Sequence, residues 1–477
     1  MMSNRLARQY RFGSLLKFSL PTIVMMVFMS LYTMADGVFV SRLIGTDALS
    51  AVNIVFPMVS VIIAVAIMLS TGASAIVARK MGEGGDAEAR QDFTLVVVVG
   101  VALGLAITLL GLAFLEPLLR FLGATPATRG YCEPYARALL WFTVPAILQM
   151  LFQTFFVTAG RPGVGLAVTV LGGLANIVLD YAFIALLDWG ILGAGLATGI
   201  GYSIPALSGL AWFAAGKSGT LRFARPVWRG DVLLKTFTNG ASEMVINCSS
   251  AIVTYLFNIS MLRYLGEDGV AAVTIVLYAE YLLVAVYLGY AGGVAPILSF
   301  NHGVGDGVQL RRLFRISLAF LAGCSAVTFA GALFFSRAIV GIFTSPDAAV
   351  FALAVHGFAL YAAGFLFKGA NIFASSMFTA LSDGRTSALL SFLRSLVFIV
   401  LGMALLPRLI GVEGVWLAVP LAELLSVLVS AYYFRKQYRV WKNQRSDAPA
   451  SADARRTEET SRQNPLPAAP AYAKKSA

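Results

Sequence analysis

Two halves of this chain repeat each other, and the repeat limits the fold to a duplicated architecture. Residues 41–56 and 262–277 carry Arg, Gly, Asp, Ala, Val, Ile and Val at matching positions. The same shift of 221 residues places Gly82 on Gly303 and residues 193–198 on 414–419. A repeat of this length predicts two pseudo-symmetric bundles with a cavity between them.

The composition indicates that lipid is the solvent for most of the chain. Hydrophobic residues make up 58% of the sequence, and residues 93–114 and 319–335 contain no charge across a bilayer's thickness. Lipid offers no partner to backbone N–H and C=O groups, so these spans should be helices. We expect an all-α integral membrane protein, with twelve transmembrane helices in two pseudo-symmetric six-helix lobes around a central cavity.

The distribution of Lys and Arg predicts the orientation of the spans. Basic residues concentrate in every second loop between consecutive spans, counted from the second loop, and at both ends of the apolar region. Examples are Arg79, Lys80, Arg311 and Arg312. The positive-inside rule then places both termini in the cytoplasm, and we expect a multi-pass protein of the bacterial inner (plasma) membrane. The net charge of +12 is thereby explained by topology, and no nucleic-acid partner is expected.

Composition shifts divide the chain into five parts. We expect a cytoplasmic N-terminal segment at 1–13, a first lobe at 14–215, a basic cytoplasmic linker at 216–235, a second lobe at 236–436 and a cytoplasmic tail at 437–477. The tail is rich in Ser, Ala, Pro and mixed charge, so it should be disordered. Because each lobe has an even number of spans, the pseudo-twofold axis should lie along the membrane normal.

Four oxygen-bearing side chains inside the spans of the first lobe are the main functional candidates. Asp36 ends the first span, Asn176 and Asp180 lie one turn apart on the fifth, and Thr198 lies early in the sixth. Helical rise places Asp36, Asp180 and Thr198 roughly 9 to 12 Å from the outer ends of their spans, so we expect the three helices to meet in one pocket. In the second copy Asp36, Asn176 and Asp180 correspond to Phe257, Val397 and Leu401, which predicts that the polar chemistry stayed in the first half.

Such a pocket suits a small cation. Ionisable residues inside a membrane are functional hypotheses by default, and desolvation and mutual repulsion favour a proton on a carboxyl pair. Carboxylate, amide and hydroxyl oxygens are also ligands for sodium, so both ions stay open. The structural alternatives are an acid facing the headgroups for Asp36 and a helix–helix hydrogen bond for Asn176 and Asp180.

A substrate cavity is a weaker expectation, drawn from apolar and aromatic residues. Glu280, beside Tyr278 and Tyr281, offers a carboxylate and aromatic faces to an organic cation. Met29, Phe152 and Gln153 are further candidates for an adaptable cavity wall. The alternatives are that Glu280 or Glu423 pairs with Lys368 or Arg394, and that the apolar residues only pack between helices.

Several short motifs together carry a specific resemblance over residues 12–436. They are Ser19-Leu-Pro21 fifteen residues before Asp36, Ala159-Gly-Arg-Pro162, the run from Leu174 through Asn176 to Asp180, Gly195-Leu-Ala-Thr198, and the run Pro296-Ile-Leu-Ser-Phe-Asn301-His-Gly-Val-Gly-Asp306. With these motifs the chain resembles the multidrug and toxic compound extrusion (MATE) family, in particular the bacterial branch of DinF-like and MepA-like transporters.

The resemblance implies cation-coupled antiport of small organic compounds by alternating access, with a proton as the favoured ion and sodium as the alternative. Asp36, Asn176, Asp180 and Thr198 stand where the family's first-lobe cation site stands, and Pro21 stands at its bending proline. Proline deletes one helical hydrogen bond, which suits a hinge. We expect cationic or amphipathic substrates, a monomer in contact with membrane lipid, and no cofactor besides the coupling ion.

Two other functions stay open. A flippase for a lipid-linked precursor would need a basic cavity for a pyrophosphate, and Lys368 and Arg394 keep this alternative alive. A channel is the second alternative, although no pore-filter repeat supports it. Catalysis has no support, because the three cysteines form no CxxC motif and no nucleophile–base arrangement is evident. We therefore do not expect an enzyme or a resident metal.

Overall fold

The computed structural model describes residues 5–216 and 219–443, and within these residues it is built of helices without strands. The α-helices are α1 (Phe12–Leu43), α2 (Thr46–Gly82), α3 (Asp86–Ala113), α4 (Leu115–Phe121), α5 (Pro126–Trp141), α6 (Thr143–Thr158), α7 (Pro162–Asp180), α8 (Gly190–Ala214), α9 (Gly230–Val304), α10 (Gly307–Phe334), α11 (Ser336–Gly341), α12 (Ala349–Tyr361), α13 (Phe365–Ala380), α14 (Gly384–Phe392), α15 (Phe398–Ile410) and α16 (Val412–Asn443).

The spans agree with the predicted twelve. Ten helical segments of the described chain are long and apolar enough to cross a membrane, and the pair α5 and α6, bent by 53°, adds an eleventh. Helix α9 has 75 residues, roughly 112 Å at 1.5 Å per residue, which is far more than one bilayer. Gly266 breaks α9 at φ 67° and ψ −153°, so α9 supplies two spans.

Some spans contain stretches that are not regular α-helix. A π-helical stretch at Tyr181–Leu186 follows α7, and a second one at Leu393–Val397 separates α14 from α15. A 3-10 turn at Ala362–Gly364 joins α12 to α13. Such irregular turns are common at functional positions in membrane helices, because they redirect side chains without ending the span.

The ends of several elements differ from the sequence predictions. Helix α1 begins at Phe12 and α9 begins at Gly230, so residues 230–235 are helical rather than part of the linker. Helix α16 continues to Asn443, and Trp441 near its end is fully buried. The predicted tail boundary at 437 was therefore wrong by seven residues, because an aromatic anchor holds the last turns against the bundle. The rest of the predicted tail, 444–477, lies outside the described residues.

The two halves of the chain meet backbone to backbone at the side of the bundle where α1 begins and α16 ends, which we call the terminal side. A Cβ added at Gly72 of α2 would lie 2.0 Å from the Thr236 carbonyl oxygen of α9, and one at Gly240 would lie 1.9 Å from the Met68 carbonyl oxygen. A Cβ at Gly289 would lie 2.5 Å from the Cα of Ile23 in α1. Only glycine permits so close an approach.

The close contacts at Gly72, Gly82, Gly240, Gly289 and Gly303, which we call the glycine seam, include a pair related by the internal repeat. A Cβ at Gly82 would lie 2.1 Å from the carbonyl oxygen of Phe300, and one at Gly303 would lie 2.1 Å from the carbonyl oxygen of Arg79. Under the shift of 221 residues, each of these two contacts becomes the other. The larger apolar core runs across the seam, whereas a second core fills the opposite, far half of the second lobe.

The segment between the lobes is tied to the first lobe on the terminal side. Arg90 Nε donates to the carbonyl oxygen of Thr220 at 2.8 Å, and the Ala224 amide donates to Thr94 Oγ1 at 3.0 Å. Arg229 Nη1 lies 3.4 Å from Oδ1 of Asp92, a fully buried carboxylate of α3. Residues 219–229 therefore form a strap on the beginning of α3.

Candidate cation site

The first-lobe site is built around two carboxyl groups from different helices. Asp36 near the far end of α1 and Asp180 at the last residue of α7 lie side by side, close enough to share a hydrogen bond. Asp180 is fully buried, and α7 packs directly against α1. The structure thus joins the two acids that the sequence placed at one depth.

Several polar atoms of this pair have no hydrogen-bond partner among the described residues. Asp36 Oδ1 and both carboxyl oxygens of Asp180 are buried without a donor, and the buried amide nitrogen of Asn176 has no acceptor. Ionised carboxylates only accept hydrogen bonds, so two of them cannot bond directly to each other. The arrangement is satisfied when a proton or another cation lies between them.

Asn176 and Thr198 line a narrow cleft in the same lobe. Tyr32 of α1, Gln149 of α6 and Tyr202 of α8 complete its polar wall. The Thr198 hydroxyl donates to the carbonyl oxygen of Ala194 at 3.0 Å, which leaves its lone pairs available. The cavity admits water-sized occupants over about 10 Å³, which suits one water or a small ion and excludes an organic molecule.

Glycines bring the three helices of the site together. A Cβ at Gly172 of α7 would lie 2.7 Å from the carbonyl oxygen of Gly201 in α8, and one at Gly173 would lie 2.6 Å from Phe28 of α1. The small residues let α7 approach both neighbours at once. Directly after Asp180 the backbone enters the π-helical stretch, so the acid lies where the helical register changes.

Comparison with known proteins decides the family. The sequence model of the MatE family matches residues 21–182 and again residues 244–404, once in each copy of the repeat. The chain belongs to the MatE family. It is therefore a multi-pass membrane protein, in agreement with its spans.

Relatives of this MatE protein include named transporters. The multidrug export protein MepA of Staphylococcus aureus (strain NCTC 8325 / PS 47) is 23% identical over 430 residues, which cover 88% of this chain and 92% of MepA. Among solved structures, one of a MATE protein in complex with MaL6 matches with a TM-score of 0.88 at 22% identity, covering 93% of this chain and 100% of the other. An outward-facing MATE transporter of the MOP superfamily matches with a TM-score of 0.87 at 23% identity, over 93% of this chain and 99% of the other. These structures share the fold.

Three tyrosines around the MatE carboxyl pair were missed in the sequence. Tyr32, Tyr135 and Tyr202 lie close enough to interact electrostatically with Asp36. Two of them could have been found, because Tyr32 is one helical turn before Asp36 and Tyr202 is one turn after Thr198. Tyr135 is on a separate helix, and no local pattern connects it to the acids.

Pro21 is the tenth residue of α1 and does not lie in an early turn. It removes the backbone bond that would reach Lys17, and its neighbour Thr22 lies in the seam against Gly289. The proposed hinge is therefore next to the contact between the two halves. Its role in bending stays a prediction.

The substrate-cavity candidates are scattered through the structure. Phe152 is fully buried and stacks on Phe213 at 5.7 Å, and Gln153 Nε2 donates to Thr169 Oγ1 at 2.9 Å, so both serve packing inside the first lobe. Met29 is half-buried on α1. Tyr278 stacks on Phe343 with ring centroids 6.2 Å apart. The structure does not join these residues in one cavity.

Glu280 has other partners than the tyrosines beside it. It contacts Lys368 and accepts a hydrogen bond from the Tyr361 hydroxyl, whereas Tyr281 points to Ser30 of the first lobe. Glu423 lies 3.8 Å from Lys368 and 3.9 Å from Arg394. The structure therefore confirms the alternative in which Glu280 and Glu423 pair with basic residues inside the bundle.

The expectation that polar chemistry stayed in the first half was wrong. The second lobe holds its own intramembrane cluster of two acids and two bases, at positions other than the counterparts of the first-lobe acids. The shift of 221 residues compares only equivalent positions, and so it could not show a cluster that arose elsewhere on the duplicated scaffold.

Proposed function

We propose that this chain is a secondary multidrug exporter, which exchanges small organic compounds for a cation by antiport. Its MatE membership and the name of its relative MepA, a multidrug export protein, support the export of organic compounds. The proposed coupling site is the pair Asp36 and Asp180, with Asn176 and Thr198 beside it. A proton is the favoured ion and sodium the alternative.

The buried contact between Asp36 and Asp180 carries the proposal. Two carboxyls in direct contact hold one proton well, whereas a sodium ion needs several oxygens arranged around it. The pair spans α1 and α7, so loading it changes the attraction between two helices. A cation that enters or leaves can thereby change the packing of α1.

The glycine seam suggests which state this structure represents. The halves are packed closely on the terminal side, so a path to the site would open from the far side. We infer that the terminal side faces the cytoplasm of a bacterial cell, because Lys and Arg concentrate there. In this outward-facing state the pair accepts a cation, α1 bends near Pro21 and the compound leaves.

The energy available to such an exchanger is sufficient. A membrane potential supplies roughly 2.3 kcal/mol per charge per 100 mV, and one unit of pH difference supplies about 1.4 kcal/mol. Together they support a gradient of about 500-fold for a neutral compound exchanged against one proton.

The flippase alternative loses its support from the basic residues. Lys368 and Arg394 both lie against carboxylates, so neither is a free cation for a pyrophosphate. A channel would need a continuous pathway, which the seam opposes on the terminal side. Conductance without coupling to a solute gradient would favour the channel.

The decisive experiment is exchange in proteoliposomes with purified Asp36→Asn and Asp180→Asn variants. Asparagine keeps the size of the side chain but cannot carry the exchangeable charge, so we expect at least a hundredfold slower drug–proton exchange. Size-exclusion chromatography of each variant checks that it is folded.

Asp268→Asn is the matched control, because Asp268 is an exposed acid at the far side, where α9 turns at Gly266. We expect it to exchange at the wild-type rate. Wild-type exchange by both the Asp36 and the Asp180 variants would refute the coupling site.

A further inference from the structure

The second-lobe cluster contains an ammonium group in an unusual position. Lys368 of α13 contacts Glu280 of α9, and its side chain is only 6% exposed. A lysine so deep in a membrane helix is costly unless it is paired, and such residues are functional hypotheses by default. The function proposed above gives Lys368 no role.

The surroundings of this ammonium are those that recognise organic cations. Its nitrogen lies 5.4 Å from the ring centroid of Tyr361 and 5.8 Å from that of Phe365. Glu280 supplies the carboxylate, and the Tyr361 hydroxyl fixes that carboxylate by a hydrogen bond. Aromatic faces beside an acid are the usual recognition site for alkylammonium and related ligands.

Lys368 has a second acid within reach. Its nitrogen lies 3.8 Å from Glu423 Oε1, and Glu423 is held by Asn371 Nδ2 at 2.7 Å. A small side-chain rotation would move the ammonium from Glu280 to Glu423, which is itself nearly fully buried. Glu280 is the more accessible acid, with 20% of its side chain exposed.

The cluster also lies near the boundary between the lobes. Tyr281, the residue after Glu280, interacts with Ser30 and lies near Tyr32 and Tyr202 of the first-lobe site. Under the repeat, Glu423 corresponds to Tyr202 and Arg394 corresponds to Gly173, and both of these line the first-lobe cleft. The cluster therefore occupies the matching place in the second lobe.

We propose that Glu280, Tyr361 and Phe365 form a subsite for the cationic group of an exported compound, and that Lys368 is a tethered cation that competes for it. The substrate's charged group displaces Lys368 to Glu423 and takes its place between the rings. The ligand class is a monovalent organic cation with apolar substituents. This inference rests on the export function proposed above.

The test is binding of ethidium to the purified full-length protein, followed by fluorescence anisotropy. Lys368→Met removes the competitor and keeps an apolar side chain of similar length, so ethidium should bind at least tenfold more tightly. Glu280→Gln removes the carboxylate, so binding should weaken at least tenfold. In the double variant the gain from Lys368→Met should disappear.

Lys436→Met is the control for loss of a positive charge, because Lys436 is exposed on α16 away from the cluster. Lys368→Gln serves as a second variant in case Lys368→Met fails to fold. Unchanged ethidium binding in Glu280→Gln and in the folded Lys368 variant would overturn the inference, as would a Lys368 effect that persists without Glu280.

Failure of the export function itself gives a different result. A wild-type protein that exchanges neither ethidium nor an uncharged drug for a cation contradicts both proposals. A wild type that exports ethidium, with Asp36→Asn inactive and Glu280→Gln fully active, contradicts only the subsite.

Discussion

At the scale of single residues, buried aspartates of this protein fall into two kinds. Asp92 is fully buried, but Lys80 Nζ lies 2.6 Å away and Arg229 lies on its other side. Asp36 and Asp180 have no such base and face each other. Removing one partner of a buried ion pair is destabilising, whereas an acid without a base inside a membrane is a candidate for binding a cation.

We therefore expect Asp92→Asn to lower stability. The substitution removes the buried charge between Lys80 and Arg229 and leaves them only the exposed Glu88, which should cost about 1–3 kcal/mol. The measurement is the apparent melting temperature of the purified protein by scanning fluorimetry.

Asp231→Asn is the comparison for this effect. Asp231 is 67% exposed and lies 3.6 Å from the exposed Lys235, so its loss should change the melting temperature very little. Equal melting temperatures for the Asp92 and Asp231 variants would contradict a structural role for the buried pair.

The positions of the candidate cation-site residues were predictable in part, and their partners less so. Because a straight helix has a fixed rise, spacing and depth brought Asp36 next to Asp180, and Asn176 and Thr198 to one cleft. The choice of Lys368 as the partner of Glu280 could not be predicted. It depends on how helices distant in the sequence pack, and Arg394 was an equally good candidate by sequence.

At the scale of elements, the glycine seam is the tightest contact between the two halves. Backbone atoms of α2 and α9 approach so closely that a methyl group at Gly72, Gly82, Gly240 or Gly303 would overlap a carbonyl oxygen. Because the contact is so close, α2 and α9 are either fully packed at the seam or separated there. It is a natural closure for one end of a transport pathway.

Gly82→Ala should hold this closure open. Its Cβ would lie 2.1 Å from the Phe300 carbonyl oxygen, so the helices must move apart, and we expect at least a tenfold loss of export. A Ser19→Cys reporter, buried in the seam, should react faster with a membrane-impermeant maleimide. The background for this measurement has the three native cysteines replaced by serine.

Gly323→Ala is the matched control, because nothing lies within 4 Å of a Cβ at that position of α10. It should export normally, since alanine in a helix is more favourable than glycine by roughly 1 kcal/mol. Gly303→Ala should resemble Gly82→Ala, because the two contacts are related by the repeat. Normal export and unchanged labelling in both seam variants would rule out a gate at this contact.

The elements themselves followed well from the sequence, whereas their irregular turns did not. Apolar length predicted the spans, because a bilayer fixes how many residues must be apolar. The π-helical stretches after Asp180 and around Arg394 depend on one extra residue being fitted into a turn by neighbouring helices. Periodicity in a uniformly apolar segment contains no such information.

At the scale of the whole molecule, one duplicated scaffold handles charge in two ways. The first lobe has two acids without a base, and the second lobe has acids matched by Lys368 and Arg394. Under the proposed function, the coupling cation then binds in the first lobe. This asymmetry predicts a single coupling site for an exchanger with two similar halves.

The driving ion can be tested on the whole protein in proteoliposomes. A pH difference of one unit, worth about 1.4 kcal/mol per proton, should drive drug exchange without sodium. Reversing the pH difference should reverse the direction of net drug movement. A sodium gradient at equal pH should drive little exchange.

The Asp36→Asn variant, once size-exclusion chromatography shows that it is folded, is the control for leak, because it lacks the proposed coupling acid. Exchange that depends on a sodium gradient and not on pH would show that sodium is the coupling ion. The proposed site would then be unchanged. Drug movement that follows neither gradient would contradict antiport altogether.

The strap at residues 219–229 has a consequence for how the protein could be taken apart. Its hydrogen bonds and ion pairs attach the beginning of the second half to α3, so the covalent link to α8 is not the sole connection between the halves. A chain cut before Thr220 would keep the strap on its second piece. Two pieces that are expressed separately would then still have a defined surface on which to associate. The duplication is then also a line along which the molecule can be divided.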